Sequence, residues 1–232
     1  MLATPELLRK FDLFAELESE DIDYLCQRSS VERHARRGII LSAGVSENKI
    51  CMLFEGRLQG VDFTIDGKEV GLYFVEPGDY CGELCVFDKG IQTEHVIAIN
   101  SVVVVLFSAD TIRFVAQRNP KIMLQLGGKL ASRVRQMSTQ RSLLSLPNIQ
   151  QRVCSQLWLL IPNADTASTE KVLIKNLPTH MEIAIMLNLS RETITRVFQQ
   201  LQRRQIVSRS GQNSLTINNI SALRRIKEGS EG

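Results

Sequence analysis

The sequence predicts an α+β chain: an antiparallel barrel or sandwich of short strands, then one long helix, then a helical module closed by a β-hairpin. Three observations carry this. Between about Val31 and Phe107, short apolar pieces recur with turn signals between them and no helical period. From Asn119 to Leu144 the apolar positions switch to threes and fours. From Thr179 to Leu201, two short helical patterns flank a tight turn. The 232 residues, 44% of them apolar, suit one large or two ordinary soluble domains. The longest continuous apolar run, Val102 to Phe107, has six residues, far below the ~18 of a membrane span. The N-terminus, MLATPELLRKFDLF, carries charges where a signal peptide needs an apolar core. No membrane partner is expected, and a cytoplasmic location follows by default.

Residues 5–28 read as short helices, with apolar faces from Leu7, Leu8, Phe11, Leu13, Phe14, Leu17, Ile22 and Leu25. Strands follow, and Asp66-Gly67 between alternating runs is a strong hairpin signal. The break Pro77-Gly78-Asp79-Tyr80-Cys81-Gly82-Glu83-Leu84 predicts a short helical turn starting at Gly82. Backbone N–H groups there would favour an anion, and Glu83 could accept from sugar hydroxyls. An ordinary turn with a solvated Glu is the alternative. Ser108 caps a short helix, and Asn119-Pro120 opens a long one with Pro at its first position. In the long helix Met123, Leu126, Leu130, Val134, Met137 and Leu144 form a stripe that suits packing on the strands or pairing with a second copy. Ile122 and Gly127-Gly128 add a small surface for close approach.

After the breaker Leu146-Pro147-Asn148 a helix runs over 149–161, with Val153, Leu157 and Leu160 inward and Trp158 semi-buried. Residues 162–170 read as a polar loop. Thr179-x-x-Glu182 is a capping box, Asn188 suits a left-handed turn, and Ser190 caps a second helix. Ile194, Val197, Phe198 and Leu201 make its apolar stripe, opposite Arg191, Glu192, Thr195, Arg196 and Gln199. Any helical hairpin with a solvated face would show such a stripe. Here Glu192 lies between two arginines at the helix start, and Arg and Glu match guanine and cytosine edges in a major groove. A β-hairpin over 206–217 would be the wing beside this helix-turn-helix, and 219–226 a last short helix. Charge divides in the same sense: 16 basic and 19 acidic residues up to position 140, then 12 and 6. A basic C-terminal half suits a polyanion.

The five cysteines are scattered and form no C-x-x-C pair, so they read as buried small hydrophobes. His34, His95 and His180 are likewise dispersed, and no nucleophile has an evident base and orienter. No enzyme and no metal site are expected.

In this order of parts, ending in Ser190-Arg191-Glu192-Thr193-Ile194-Thr195-Arg196, the chain resembles the Crp/Fnr family of bacterial transcription regulators over nearly its whole length. The resemblance implies a jelly-roll-like β-roll sensor domain over 1–118, a dimerisation helix over 119–145 and a winged helix-turn-helix over 146–232. It also implies a homodimer on a palindromic TGTGA-like promoter site, with RNA polymerase as partner. By that resemblance Arg191 and Arg196 contact guanines, Glu192 a cytosine and Thr193 a phosphate, within a DNA-binding set that adds Thr179, Ser190, Thr195 and Gln199. Gly82-Glu83-Leu84 is similar to the family's nucleotide pocket, where the Glu holds a ribose hydroxyl. The family's phosphate-clamping Arg-Ser/Thr-Ala is replaced by Gln92-Thr93-Glu94-His95, with Thr93 and Glu94 at the phosphate. That exchange removes a cation and adds an anion, so cyclic AMP is not expected as the effector. Another nucleotide such as cyclic di-GMP, or redox or haem control, is the alternative. With Cys26 alone near the N-terminus an iron–sulfur centre is not expected, and His95 is expected to be packed or at the surface rather than a haem ligand.

Overall fold

The segments 50–54 and 102–107 read as unbroken apolar runs because both of their faces are covered. The computed structural model describes every residue except 47, 66, 68, 89, 163–170, 212 and 231–232. The chain divides into two compact units, Met1–Val134 and Arg135–Gly232.

The first unit opens with α1 (Pro5–Leu8), capped by the Thr4 hydroxyl, and α2 (Ser19–Gln27). The roll comprises β1 (Ser30–His34), β2 (Ile39–Leu41), β3 (Lys49–Glu55), β4 (Leu58–Phe63), β5 (Glu69–Val75), β6 (Tyr80–Cys81), the one-turn helix α3 (Leu84–Asp88), β7 (His95–Ala98) and β8 (Val102–Ser108). Among the described residues these strands form two four-stranded antiparallel sheets, ordered β1-β8-β3-β6 and β2-β7-β4-β5. The predicted β4–β5 hairpin is present, with the Gly67 amide donating to the Thr64 carbonyl at 2.8 Å. Its Asp66 lies outside the described residues.

Side chains alternate faces along a strand, and here the alternation sorts residues between two apolar clusters. From β8, Val102, Val104 and Leu106 join the cluster inside the roll, while Val105 and Phe107 pack with the helices on the outer side. From β3, Cys51 and Leu53 go inward, while Ile50 and Met52 meet the helices. Cys51 and Cys81 stand directly opposite each other on β3 and β6 as buried free thiols, a pairing that their scatter in sequence conceals.

Two helices follow: α4 (Ala109–Arg118), capped by Ser108, and α5 (Pro120–Leu144). The stripe expected along α5 is not one surface. Of its members Leu126 is fully buried, with the neighbouring Ile122, in the cluster shared with the N-terminal helices, whereas Met123, Val134 and Met137 are 37%, 66% and 64% exposed. Ile122 is therefore core and not part of a surface for close approach. A stripe counted at threes and fours drifts around a long helix, and the roll claims one side of it.

The second unit takes the end of α5 and α6 (Ile149–Leu159), capped by Asn148. Trp158, expected at half burial, is buried in the core, with Lys227 and Arg224 cations 4.7 and 5.1 Å from its ring. Of the loop expected over 162–170, residues 163–170 lie outside the described residues. Then come β9 (Val172–Ile174), α7 (His180–Leu187), α8 (Arg191–Arg203), β10 (Val207–Arg209), β11 (Leu215–Ile217) and α9 (Ile220–Lys227), with the strands in order β10-β11-β9. One apolar cluster, including Val153, Leu157, Ile183, Leu187, Ile194, Phe198, Leu201 and Leu223, holds these elements together.

Candidate nucleic-acid interface and effector pocket

The hairpin α7–α8 is fixed by short-range hydrogen bonds at both of its helix starts. At α7, the Thr179 hydroxyl accepts from the Glu182 amide at 3.3 Å, and the Glu182 carboxylate accepts from the Thr179 amide at 2.8 Å. At the turn, Asn188 adopts φ 52°, ψ 48°, the left-handed conformation that an amide side chain tolerates. At α8, the Ser190 hydroxyl accepts from the Thr193 amide at 3.1 Å. Ile194, Val197, Phe198 and Leu201 are buried, so the opposite edge of α8 must face outward. On that edge Arg191, Glu192, Arg196 and Gln199 are exposed.

Thr193 and Thr195 differ from these. Both are half-buried: the Thr193 and Ser190 hydroxyls are 2.9 Å apart, and the Thr195 hydroxyl donates to the Arg191 carbonyl at 2.9 Å. Thr195 also meets His180 Nδ1 at 2.9 Å, and the His180 ring packs 4.6 Å from Phe198. Burial first, then the positive charges of Arg209 and Arg191, push the His180 imidazole below its ordinary value. His180 thus joins α7 to α8, and Arg209 of β10 adds a cation near the same edge. The sequence reading assigned neither role; a half-buried His at a helix start gives no distinguishing pattern. In the wing, β10 and β11 pair in register Val207↔Ile217 to Arg209↔Leu215, and Gln212 at its tip lies outside the described residues.

The second candidate site is assembled from distant segments. Gly82 adopts φ +81°, and a Cβ there would stand 2.6 Å from the Lys49 carbonyl oxygen, so glycine is required. The next residue, Glu83, is completely buried, while Leu84 is half-buried. Arg133 of α5 reaches Glu83 Oε1 at 3.2 Å, donates to the Tyr80 carbonyl at 3.2 Å, and stacks 4.0 Å from the Tyr73 ring centre. The Tyr73 hydroxyl donates to Glu94 Oε1 at 2.5 Å, and Thr93 closes on the other Glu94 oxygen. Gly60 makes room for this: a Cβ there would lie 2.5 Å from the Tyr73 ring. Thr93, Glu94, Tyr73, Arg133 and Glu83 therefore form one connected cluster. Thr93 is exposed and Glu94 buried.

Burial raises the Glu83 carboxyl, and the Arg133 charge only partly offsets it. Neither Glu83 oxygen has a hydrogen bond in satisfying geometry. Such a carboxylate could accept from ligand hydroxyls. The remaining residues fit a cyclic phosphate poorly. Glu94, at the position where the resemblance places the phosphate, is an anion already bonded to Tyr73 and Thr93, and the one guanidinium of the cluster faces Glu83. Sequence reasoning located Gly82, Glu83, Thr93 and Glu94 and missed Tyr73 and Arg133. Arg133 sits on a distant helix, and nothing in its local pattern marks it. Next to Glu94, His95 Nδ1 accepts from the Ala43 amide at 3.3 Å, and its ring lies 5.4 Å from Phe63. Among the described residues, no helix is long and apolar enough to cross a membrane, and no group of three or more His, Cys, Asp or Glu is placed to hold a metal ion.

Comparison with known proteins gives a family for each unit. Residues 31–119 match the cyclic nucleotide-binding domain, and residues 151–226 match the Crp-like helix-turn-helix domain. The chain is 25% identical over 222 residues to a CRP-like cAMP-activated global transcriptional regulator of Mycobacterium tuberculosis, covering 96% of this chain and 99% of that one. Two solved structures share the fold. One is a CooA mutant from Carboxydothermus hydrogenoformans, with TM-score 0.74 and 17% identity over 100% of this chain and 98% of that one. The other is FixK2 from Bradyrhizobium japonicum, with TM-score 0.70 and 20% identity over 85% and 96%. With both domain families matched in the order that the strands, long helix and winged hairpin display, the chain belongs to the Crp/Fnr family of transcription regulators.

Proposed function

We propose that this chain is a homodimeric, sequence-specific DNA-binding regulator, not an enzyme, acting in the cytoplasm on promoter DNA and RNA polymerase. Two copies of α8 enter successive major grooves about 34 Å apart on a two-fold, TGTGA-like site. Arg191 and Arg196 pair with guanines, Glu192 accepts from a cytosine, and Thr193 with Ser190 and Thr179 sets the helix start against phosphate. The observation that carries this reading is the exposed Arg191, Glu192, Arg196 and Gln199 edge on a helix whose other face is buried and whose start is capped. The exposed Met123, Val134 and Met137 on α5 support pairing with a second copy.

Cyclic AMP is not its effector in this reading, because the pocket presents Thr93 and Glu94 where a cation is needed, and Glu94 is already engaged. The two Glu83 oxygens without hydrogen bonds favour a second reading, in which another nucleotide such as cyclic di-GMP gates DNA binding. The test is selection of bound sites from random duplex DNA, followed by binding at graded salt. A two-fold consensus with a steep negative salt slope is expected. A flat slope with no consensus contradicts the reading.

A further inference from the structure

The face that α5 turns to the roll is built from Ile122, Leu126, Lys129 and Arg133, spaced so that they lie on one side of a helix. Its first half is apolar and fully buried. Its second half is cationic: Lys129 pairs with Asp79 and lies 5.6 Å from the Tyr80 ring, and Arg133 pairs with Glu83 and the Tyr80 carbonyl. Asp79 and Glu83 thus hold two successive cations of one helix face, on either side of Tyr80. The guanidinium has three different anchors: a carboxylate, a carbonyl and an aromatic face. A planar, permanently charged group suits all three at once, where an ammonium does not.

We infer that Arg133 is the pocket's own occupant: its guanidinium pins α5 to the roll through Glu83, Tyr80 and Tyr73, and DNA binding therefore requires no small-molecule effector. This rests on the DNA-binding reading above and deepens its regulation. The cost of displacement argues for it. An anionic ligand that took the guanidinium would strand Glu83, fully buried and without a hydrogen bond, and an unpaired buried charge is strongly unfavourable. A neutral ligand would have to move Tyr73, whose ring is wedged against Gly60 and tied to Glu94. The pin also sits near the end of the first unit, and α5 continues past it to Leu144 in the second.

The test uses full-length protein, freed of nucleotide by refolding, on a duplex carrying the selected site, followed by fluorescence anisotropy. The native protein is expected to bind unaided, and cyclic AMP, cyclic GMP or cyclic di-GMP to leave its Kd unchanged. Arg133→Ala is expected to weaken DNA binding by about tenfold, roughly 1.4 kcal/mol, with Trp158 fluorescence unaltered, and Arg133→Lys to recover only part of the loss. Two results overturn the inference: native protein that binds only once one of these nucleotides is added, or Arg133→Ala that binds as tightly as native. The nucleotide titration needs no variant, so it decides even if Arg133→Ala does not fold. Native protein that binds no selected duplex under either condition instead defeats the underlying DNA-binding reading.

Discussion

The recognition hairpin and the pocket are both functional candidates, and they are built in opposite ways. In the hairpin every determinant is local. Thr179 meets Glu182, Ser190 meets Thr193, Asn188 makes the turn, and the buried stripe of α8 fixes which edge faces out. In the pocket the determinants converge from β4, β5, the segment after β6, the segment before β7, and α5. A local site keeps its geometry as long as two helices pack. A convergent site depends on every element that delivers a side chain, so one change in any of them propagates. Variants at the two sites should therefore differ in kind, and Trp158, the single tryptophan, lies in the core of the second unit and reports on it.

The largest expected effect comes from breaking the pocket's ion pair. Glu83→Ala leaves the largely buried Arg133 without its carboxylate, a loss of about 3–5 kcal/mol for the first unit. Urea unfolding followed by circular dichroism should show it, with the Trp158 transition in place. Equal shifts in both signals would mean that the two regions are not separable. Next is Gly60→Ala, which drives a methyl into the Tyr73 ring. Such overpacking costs about 1–3 kcal/mol, and the same unfolding curve reads it; an unchanged curve would show that Tyr73 is not wedged there.

In the hairpin, Thr179→Ala removes the acceptor for the Glu182 amide and should cost about 0.5–2 kcal/mol, seen this time in Trp158 fluorescence. The smallest effect concerns pH. The folded His180 imidazole lies below its ordinary value of 6.5, so the unfolded chain binds the proton more readily. Stability of the second unit is then fully present above about pH 6.5 and declines as pH falls through the folded value. His180→Gln should flatten that decline in the Trp158 signal, and an identical pH profile would remove His180 from the account.

The same contrast separates what the sequence discloses from what only the fold brings together. Helix starts at Thr179, Ser190 and Ser108 were legible because a cap needs a given residue type at a fixed offset, whereas Asn148 read as part of a breaker and caps α6. The wing and the β4–β5 hairpin were legible through turn residues between apolar runs. Gly82 and Glu83 were legible as a motif, but their surroundings were not. Arg133 looks like any solvated helix cation until the fold brings Tyr73 and Glu83 to it. Similarly, periodicity found the apolar positions of α5 but could not divide Ile122 and Leu126, which the roll buries, from Val134 and Met137, which it leaves exposed.

In the proposed function the edge of α8 reads bases. Its most direct test is binding of native and Arg191→Ala protein to the selected site and to its full set of single-base variants. The expected result is a loss of about 1–3 kcal/mol confined to one base position in each half-site, where the variant no longer discriminates. An equal loss on every duplex, with discrimination intact, would make Arg191 a phosphate contact and contradict the claim.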